Sequence, residues 1–326
     1  MATVNGMLAP QPGRLSVVAA LPWVVWAGLR LTGTERGFPL VPAMSFTPYA
    51  AASAVLPLAL SARYRSPAGA VLSASAGIAL TGAVLARGRR PPGGPPAGGT
   101  RVRIATVSLR RGLVAAAPVL DLVRRHDVDV LAVQELTPRA EAALQAAGLG
   151  DLLPSAHVLP ARPGSPEAAS GAIWTRLALR SRATTPGVFE QPTARLAAAC
   201  GTEFEVTSVH TLPPATSPAA VRGWTADLAA LPDPGPEVLR VLAGDFNATL
   251  DHAAFRSVLR RGYTDAARAA GRALAWTWRP LHLRFPRLTL DHVLVDPRIA
   301  VAGVELAAVR GSDHRAVVAE LVLPFR

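Results

Sequence analysis

Lysine is absent from the chain, and all 34 basic residues among its 326 are arginine. Given so much Ala, Gly and Pro, this points to a GC-rich coding sequence, so the arginine content alone identifies no partner. Cysteine is almost as scarce. Cys200 stands alone, which excludes an intramolecular disulfide and a cysteine-built zinc site. Acid is missing from the front of the chain. Residues 1–100 hold eight Arg and only Glu35, a net +7, whereas residues 101–326 hold 26 Arg against 21 acids, a net +5. Much of the basic excess therefore flanks apolar segments, and the overall charge of +12 does not by itself indicate nucleic-acid binding.

Half of the residues are hydrophobic, a high share for a purely soluble enzyme. Three apolar stretches without charge fill the first ninety residues: Leu15 to Leu29, continuing past Arg30 to Thr34, then Gly37 to Ala62, then Ser66 to Ala86. A helix needs roughly 20 apolar residues to cross the hydrocarbon layer. The second and third stretches reach that length, and the first does so if Arg30 snorkels to the interface. Trp23 and Trp26 suit an interfacial position, and Pro22, Pro42, Pro48 and Pro57 are tolerated more readily in spans than in soluble helices. A cleaved signal peptide is the rival for residues 1–34, weakened by the apolar stretches that follow it. A buried soluble helical domain is disfavoured by the near absence of charge. The expectation is three transmembrane helices within residues 1–90, a Pro/Gly linker at 91–100 that begins after Arg87-Gly88-Arg89-Arg90, and a catalytic domain at 101–326.

From Arg101 onward, β-rich runs alternate with helical ones. Strands are expected at Arg103–Val107, Val128–Val133, Gly171–Trp174, Phe204–His210, Val238–Leu242, Leu290–Val295, Gly303–Ala308 and Val317–Leu323, with a helix over Ala115–His126. Several polar groups fall directly after these apolar runs. Gln134-Glu135 ends the second strand, and a carboxylate there either caps a helix or binds a cation. Gly244-Asp245-Phe246-Asn247 breaks the Val238–Leu242 run, where the bland alternative is a turn. His210 follows Val206–Val209, and a lone His after a strand is more often structural. Leu290-Asp291-His292 and Ser312-Asp313-His314-Arg315 come later. Residues 256–287 hold eight Arg against the single acid Asp265, either a surface face or the border of an anion site.

In this order the segments resemble the endonuclease/exonuclease/phosphatase family. The resemblance implies an α+β fold, a two-sheet β-sandwich flanked by helices (DNase I-like), here preceded by the transmembrane helices. It implies divalent-metal phosphoester hydrolysis with Mg²⁺ or Mn²⁺, hard cations suited to carboxylates. Glu135 and Asp313 would be the metal residues. Asp245 would orient or deprotonate the attacking water, and Asn247 would donate to phosphoryl oxygens or position a ligand. His210 would contact the phosphate, and Asp291 would fix the tautomer of His314, the general acid/base. Ser108, Arg195 and Trp278 fall on the substrate side, with Trp276-Thr277-Trp278 similar to the family's Thr-Trp segment. One departure is clear: Ser108 stands where the family usually has Asn, and it cannot duplicate a carboxamide.

Three spans ahead of this domain resemble a membrane-bound branch of the family, typified by VanJ, whose catalytic domain faces outward. The arginine distribution leans the other way, since Arg30, Arg36, Arg87, Arg89 and Arg90 lie on the enzyme's side against Arg14, Arg63 and Arg65. An extracytoplasmic domain on a multi-pass membrane protein is the expectation taken from the resemblance. The expected partner is an anionic phosphorylated substrate, lipid-linked or small. A membrane-anchored or secreted nuclease, with nucleic acid as partner, is the alternative enzyme. A non-catalytic membrane binding module, resting only on Ser108, is the alternative outside catalysis.

Overall fold

The computed structural model describes residues 12–89 and 98–325, so most of the expected linker lies outside the described residues. The uncharged N-terminal stretches are helical: α1 (Pro12–Thr32), α2 (Leu40–Ala43), α3 (Thr47–Ser53), α4 (Val55–Arg63) and α5 (Pro67–Leu85). Helix α5 starts on Ser66, whose Oγ accepts from Gly69 N, with Pro67 at the first helical position where a missing N–H costs nothing. Small residues let α5 run close to α1 and α4: a Cβ at Gly69 would press on Ser61 and Ser16. Helix α1 and the segment Pro67–Gly88 are long and apolar enough to cross a membrane, and a third crossing results if α2–α4, bent by 40°, is one broken span. The indoles of Trp23 and Trp26 find protein partners. Their N–H groups turn onto α3, toward Ala50 O and Ser53 Oγ for Trp23 and toward Thr47 Oγ1 for Trp26.

The rest of the chain supplies β1 (Thr100–Ser108), α6 (Ala116–Arg125), β2 (Val130–Leu136), α7 (Pro138–Ala146), α8 (Leu149–Leu152), β3 (Ser155–Leu159) and β4 (Ser170–Thr175). There follow β5 (Ala178–Thr185), β6 (Gln191–Ala197), β7 (Glu203–His210), α9 (Pro218–Ala230), β8 (Leu239–Asp245) and α10 (Ala253–Arg260). The C-terminal part adds β9 (Thr264–Asp265), α11 (Ala266–Ala269), β10 (Asp291–Val295), β11 (Ala300–Ala308) and β12 (Arg315–Leu323). The strands form two six-stranded sheets, ordered β11-β12-β1-β2-β4-β3 and β5-β6-β7-β8-β10-β9. Each is mixed: β1 and β2 are parallel in one, β7 and β8 in the other, and the remaining pairs are antiparallel.

Ile104, Ala132, Ile173 and Ala319 of the first sheet share a buried core with Leu196, Val206, Val241 and Val293 of the second. That layer holds the two sheets face to face. Helices α6 and α7 bury Val119, Leu122, Val123 and Leu144 against the outer face of the first sheet, and α9 and α10 add Trp224, Leu228, Phe255 and Val258 beside the second. The expected DNase I-like sandwich flanked by helices is what forms. Strands β3, β5, β6 and β9 were not among the expected ones. Strand β5 is exposed on both faces and carries Arg180 and Arg182, so it lacks the alternation that marks a half-buried strand.

The helical front end is docked on the sandwich. Arg30, at the end of α1, donates Nε to Asp251 Oδ1 at 2.6 Å, and Arg87 pairs with the other carboxylate oxygen. Glu35 accepts from Ala253 N, Ser45 Oγ meets His252 Nε2 at 3.4 Å, and Val41 enters the core shared by the two sheets. Arg30 therefore reaches a buried protein carboxylate, where snorkelling to an interface was expected. The ends of α1 and α5 consequently lie on the same side as the sandwich.

Candidate active site

Both sheets bring strand ends to one place. In the second sheet, His210 closes β7 beside Asp245, which closes β8, and Asp291 opens β10 directly opposite Asp245. Neighbours in one rung present their side chains to the same face, and all three are buried. Gly244 permits this approach, because a Cβ there would collide with the backbone of Val209 on β7. The first sheet contributes Ser108 at the end of β1, Glu135 near the end of β2, and His314 just ahead of β12.

Glu135 leaves the regular strand to reach the site. Its φ is +55°, and the β2–β4 register shifts between Gln134 and Leu136. A bulge with a non-glycine residue in the left-handed region is uncommon and re-aims one side chain. Gln134 stays in register and points between the sheets, accepting from Thr106 Oγ1 and donating to Ser208 Oγ. The Glu135 carboxylate accepts from Arg111 N, within a turn where Arg110 and Arg111 have positive φ and a Cβ at Gly112 would collide with Thr137. Asn247 also adopts positive φ, +46°, which Asn tolerates. Its backbone N–H donates to Asp245 Oδ1 at 2.8 Å, and its amide nitrogen donates to Thr211 O at 2.9 Å. The amide donor expected for phosphoryl oxygens is thus already engaged in holding the Asp245 turn.

His314 sits between two carboxylates. Its Nδ1 lies 2.9 Å and 3.1 Å from the oxygens of Asp291, and its Nε2 lies 3.9 Å from Asp245 Oδ2. The Asp291 contact fixes the proton on Nδ1 and leaves Nε2 facing Asp245. Burial, the largest single effect, works against a charged imidazole here, but the Asp291 charge and hydrogen bond together with the Asp245 and Asp313 charges outweigh it and raise His314 to about 10. Burial, then the Asp291 charge, pushes Asp245 up to about 8, and burial likewise raises Glu135. Burial, with the His314 charge behind it, drives His210 down to about 3, so that ring is neutral. Phe189 packs on it with ring centroids 4.5 Å apart, and Gln191 Oε1 accepts from its backbone N–H.

The donor set fits a hard divalent cation. Asp245, Asp291 and His314 each offer a ligand atom within 4.8 Å of the others. Asp313 Oδ1, Ser108 Oγ and His210 Nδ1 are buried without a hydrogen-bond partner. Carboxylate and hydroxyl oxygens are the ligands such ions take, and orphaned buried acceptors call for an occupant. The tightest grouping among the described residues centres on Asp245 and Asp291, whereas the sequence had pointed to Glu135 and Asp313.

Trp278 joins the site through Asp313, donating Nε1 to Oδ2 at 3.2 Å. Arg195 does not join it. It lies opposite Glu205, well along β7 from His210, and its guanidinium pairs with Glu203 at 2.9 Å. His292 is turned away, between Asp265 Oδ2 at 2.6 Å and Ala248 O at 2.9 Å. Thr277 was quoted within its motif but given no role. Its Oγ1 accepts from the backbone N–H groups of Leu290 and Asp291, and its carbonyl accepts from Arg315 N, which aligns Asp291 with His314. The arginine-rich stretch divides in two. Arg256 and Arg261 cap backbone carbonyls, while Arg279 and Arg287 join Arg315 around the Trp276 ring, with guanidinium carbons 5.7, 5.3 and 3.7 Å from its centroid.

Residues 106–314 match the family model described as the Endonuclease/Exonuclease/phosphatase family. No curated protein shows significant similarity to the chain. Among solved structures, D. rerio TDP2 complexed with a single-strand DNA product is 15% identical, with 68% of this chain and 99% of that one aligned and a TM-score of 0.53. An endonuclease/exonuclease/phosphatase family protein from Bacteroides thetaiotaomicron is 16% identical over 70% and 96% of the two chains, with a TM-score of 0.51. The human Nocturnin catalytic domain with bound sulfate is 17% identical over 69% and 95%, with a TM-score of 0.50. At such identities these likenesses concern the fold.

Proposed function

The chain belongs to the endonuclease/exonuclease/phosphatase family, and from that premise we propose that it is a membrane-anchored, divalent-metal-dependent phosphoesterase acting on an anionic substrate at the bilayer surface. Members of the family are phosphoesterases or nucleases. The observation that carries the reading is His314 held between Asp291 and Asp245 in a buried site where carboxylates outnumber cations. Such a site is electrostatically incomplete until a cation enters.

Glu135, Asp245 and Asp313 are the residues that would hold Mg²⁺ or Mn²⁺, leaving Asp291 to His314. When bound, the cation offsets their charge and polarises phosphoryl oxygens. Asp245 aligns a water for in-line attack on phosphorus and takes its proton, its carboxylate held by the Asn247 turn. The water oxygen bonds to phosphorus as the ester oxygen departs, and His314 Nε2 supplies the proton that the leaving oxygen needs. Asp291, bonded to Nδ1, favours the charged imidazolium, whose Nε2–H is the donor. Neutral His210 offers a single N–H, and Ser108 its hydroxyl, to the phosphoryl group.

Residues 1–90 serve as the anchor in this reading, crossing the bilayer three times, with residues 91–100 as linker and 101–326 as an extracytoplasmic catalytic domain. Alkaline-phosphatase and fluorescent-protein fusions at the C-terminus test the side. The function is tested by Mg²⁺-dependent phosphate release from full-length protein, offered a long-chain lipid phosphate, sphingomyelin, an inositol phosphate and plasmid DNA. Release from a phosphomonoester or diphosphate supports the reading. Cleavage of plasmid DNA alone replaces it with a nuclease.

A further inference from the structure

An apolar groove of about 700 Å³ opens between α1, α3 and α4, lined by Trp23, Trp26, Phe46, Tyr49, Val55 and Leu56. Helices α3 and α4 meet there at a 40° bend. The indole N–H groups of Trp23 and Trp26 are satisfied by α3, so the walls facing the groove are hydrocarbon and ring faces. The volume lies in the range of roughly 300–1,000 Å³ usual for small-molecule sites. Helix α1 is long and apolar enough to cross a membrane, and so is α2–α4 if its bent pair forms one span, in which case the groove would open toward lipid chains.

One end of the groove is fastened to the catalytic domain. Tyr49 Oη accepts from Arg287 N at 2.6 Å and donates to Arg287 O at 3.3 Å, and Phe285 meets the Tyr49 ring edge-on. Phe285 and Leu283 are exposed on this loop, as an apolar lip would be. Beyond the lip lie Arg287, Arg279 and Arg315, gathered on Trp276. None of the three pairs with a carboxylate among the described residues, whereas ten other arginines of the domain do. Three clustered cations with no counter-ion form an anion site, and Arg315 is adjacent in sequence to His314.

We propose that this groove holds the hydrocarbon chain of a membrane lipid whose anionic phosphate head is taken by Arg279, Arg287 and Arg315 and passed to the site at His314. Charge complementarity selects the occupant. A zwitterionic phosphocholine head would bring its own cation against three arginines, whereas a terminal phosphate or diphosphate brings only negative charge. A nucleic acid would use the arginines and leave the groove without purpose. The inference deepens the phosphoesterase reading and rests on it for turnover, but binding to the groove is measurable without turnover.

The test uses full-length protein in neutral detergent micelles and single-chain lipids brominated near the chain end, which quench nearby tryptophans. A brominated alkyl phosphate should half-quench at a mole fraction at least about fivefold lower than the alkyl phosphocholine of equal chain length. Arg287→Gln combined with Arg315→Gln should remove that difference. Ala52 is an exposed groove residue, so Ala52→Phe fills the groove without crowding the core. It should lower the ratio of kcat/KM for a long-chain over a short-chain alkyl phosphate about tenfold. Preferential quenching without phosphate release from either lipid would keep the groove and remove the phosphoesterase reading. Equal quenching by the two brominated lipids, or an unchanged chain-length ratio in Ala52→Phe, would overturn the proposal.

Discussion

Arg30 donates its Nε to Asp251 at 2.6 Å, so the last turn of a membrane-length helix is bonded to the segment that begins with Asp245. Arg87 takes the second oxygen of the same carboxylate, and Asp251 is fully buried. Asp251→Ala leaves two largely buried guanidiniums without a partner, and losing one member of a buried pair typically costs about 3–5 kcal/mol. Thermal unfolding of full-length protein in micelles should then show a midpoint lower by roughly 10 °C, at about 2–4 °C per kcal/mol for a chain of this size class. An unchanged midpoint would mean that the pairs contribute nothing to docking.

The next residue makes the docking sensitive to acid. His252 is buried, its Nδ1 accepts from Thr249 N at 2.8 Å, and burial lowers it to about 4 despite the nearby Asp251 charge. An unfolded histidine titrates near 6.5. Between those values the unfolded chain binds a proton that the folded chain refuses, so stability falls as pH drops from about 6.5 to 4 and is unaffected above that window. At about 1.4 kcal/mol per unit the loss amounts to roughly 3 kcal/mol. His252→Asn, whose Oδ1 can stand in for Nδ1, should flatten this slope in urea unfolding between pH 7 and 4. Parallel slopes in the two proteins would remove His252 as its source.

The candidate site groups were legible because each stands where an apolar strand ends in a polar residue: Glu135, His210, Asp245 and Asp291 all follow or open buried strands. The docking was not. Arg30 and Asp251 are 221 positions apart, and nothing in the local pattern distinguishes an arginine that reaches headgroups from one that reaches a carboxylate. Arg195 misled for the opposite reason, as an arginine within a strand whose direction carries it away from the site. Strands β3 and β5 are sheet edges with weak alternation, and Pro192 and Arg195 interrupt β6. Their places are fixed by sheet partners distant in sequence.

Asp291 and His314 should behave as a unit. Asp291→Asn withdraws the charge that raises the imidazole and disturbs the Nδ1 contact, and His314→Ala removes the proton donor itself. Each should lower kcat by about 100-fold, and the double variant should be little worse than the worse single one, since residues acting together are strongly non-additive. Losses in log kcat that simply add would show that the two carry separate roles.

The most direct measurement is phosphate release by the full-length protein before and after removal of divalent cations, repeated with Asp245→Asn and Glu135→Ala. These substitutions remove hard oxygen donors and little or no core volume, so both variants should keep the wild-type unfolding midpoint to within a few degrees. Chelation should abolish release, and Mg²⁺ or Mn²⁺ should restore it in the wild-type protein. Asp245→Asn should remain at least about 100-fold slower at saturating metal, and Glu135→Ala should demand far more metal or fail to respond. Release that persists after chelation, or near-wild-type rates from Asp245→Asn, would contradict a metal-dependent phosphoesterase centred on this cluster.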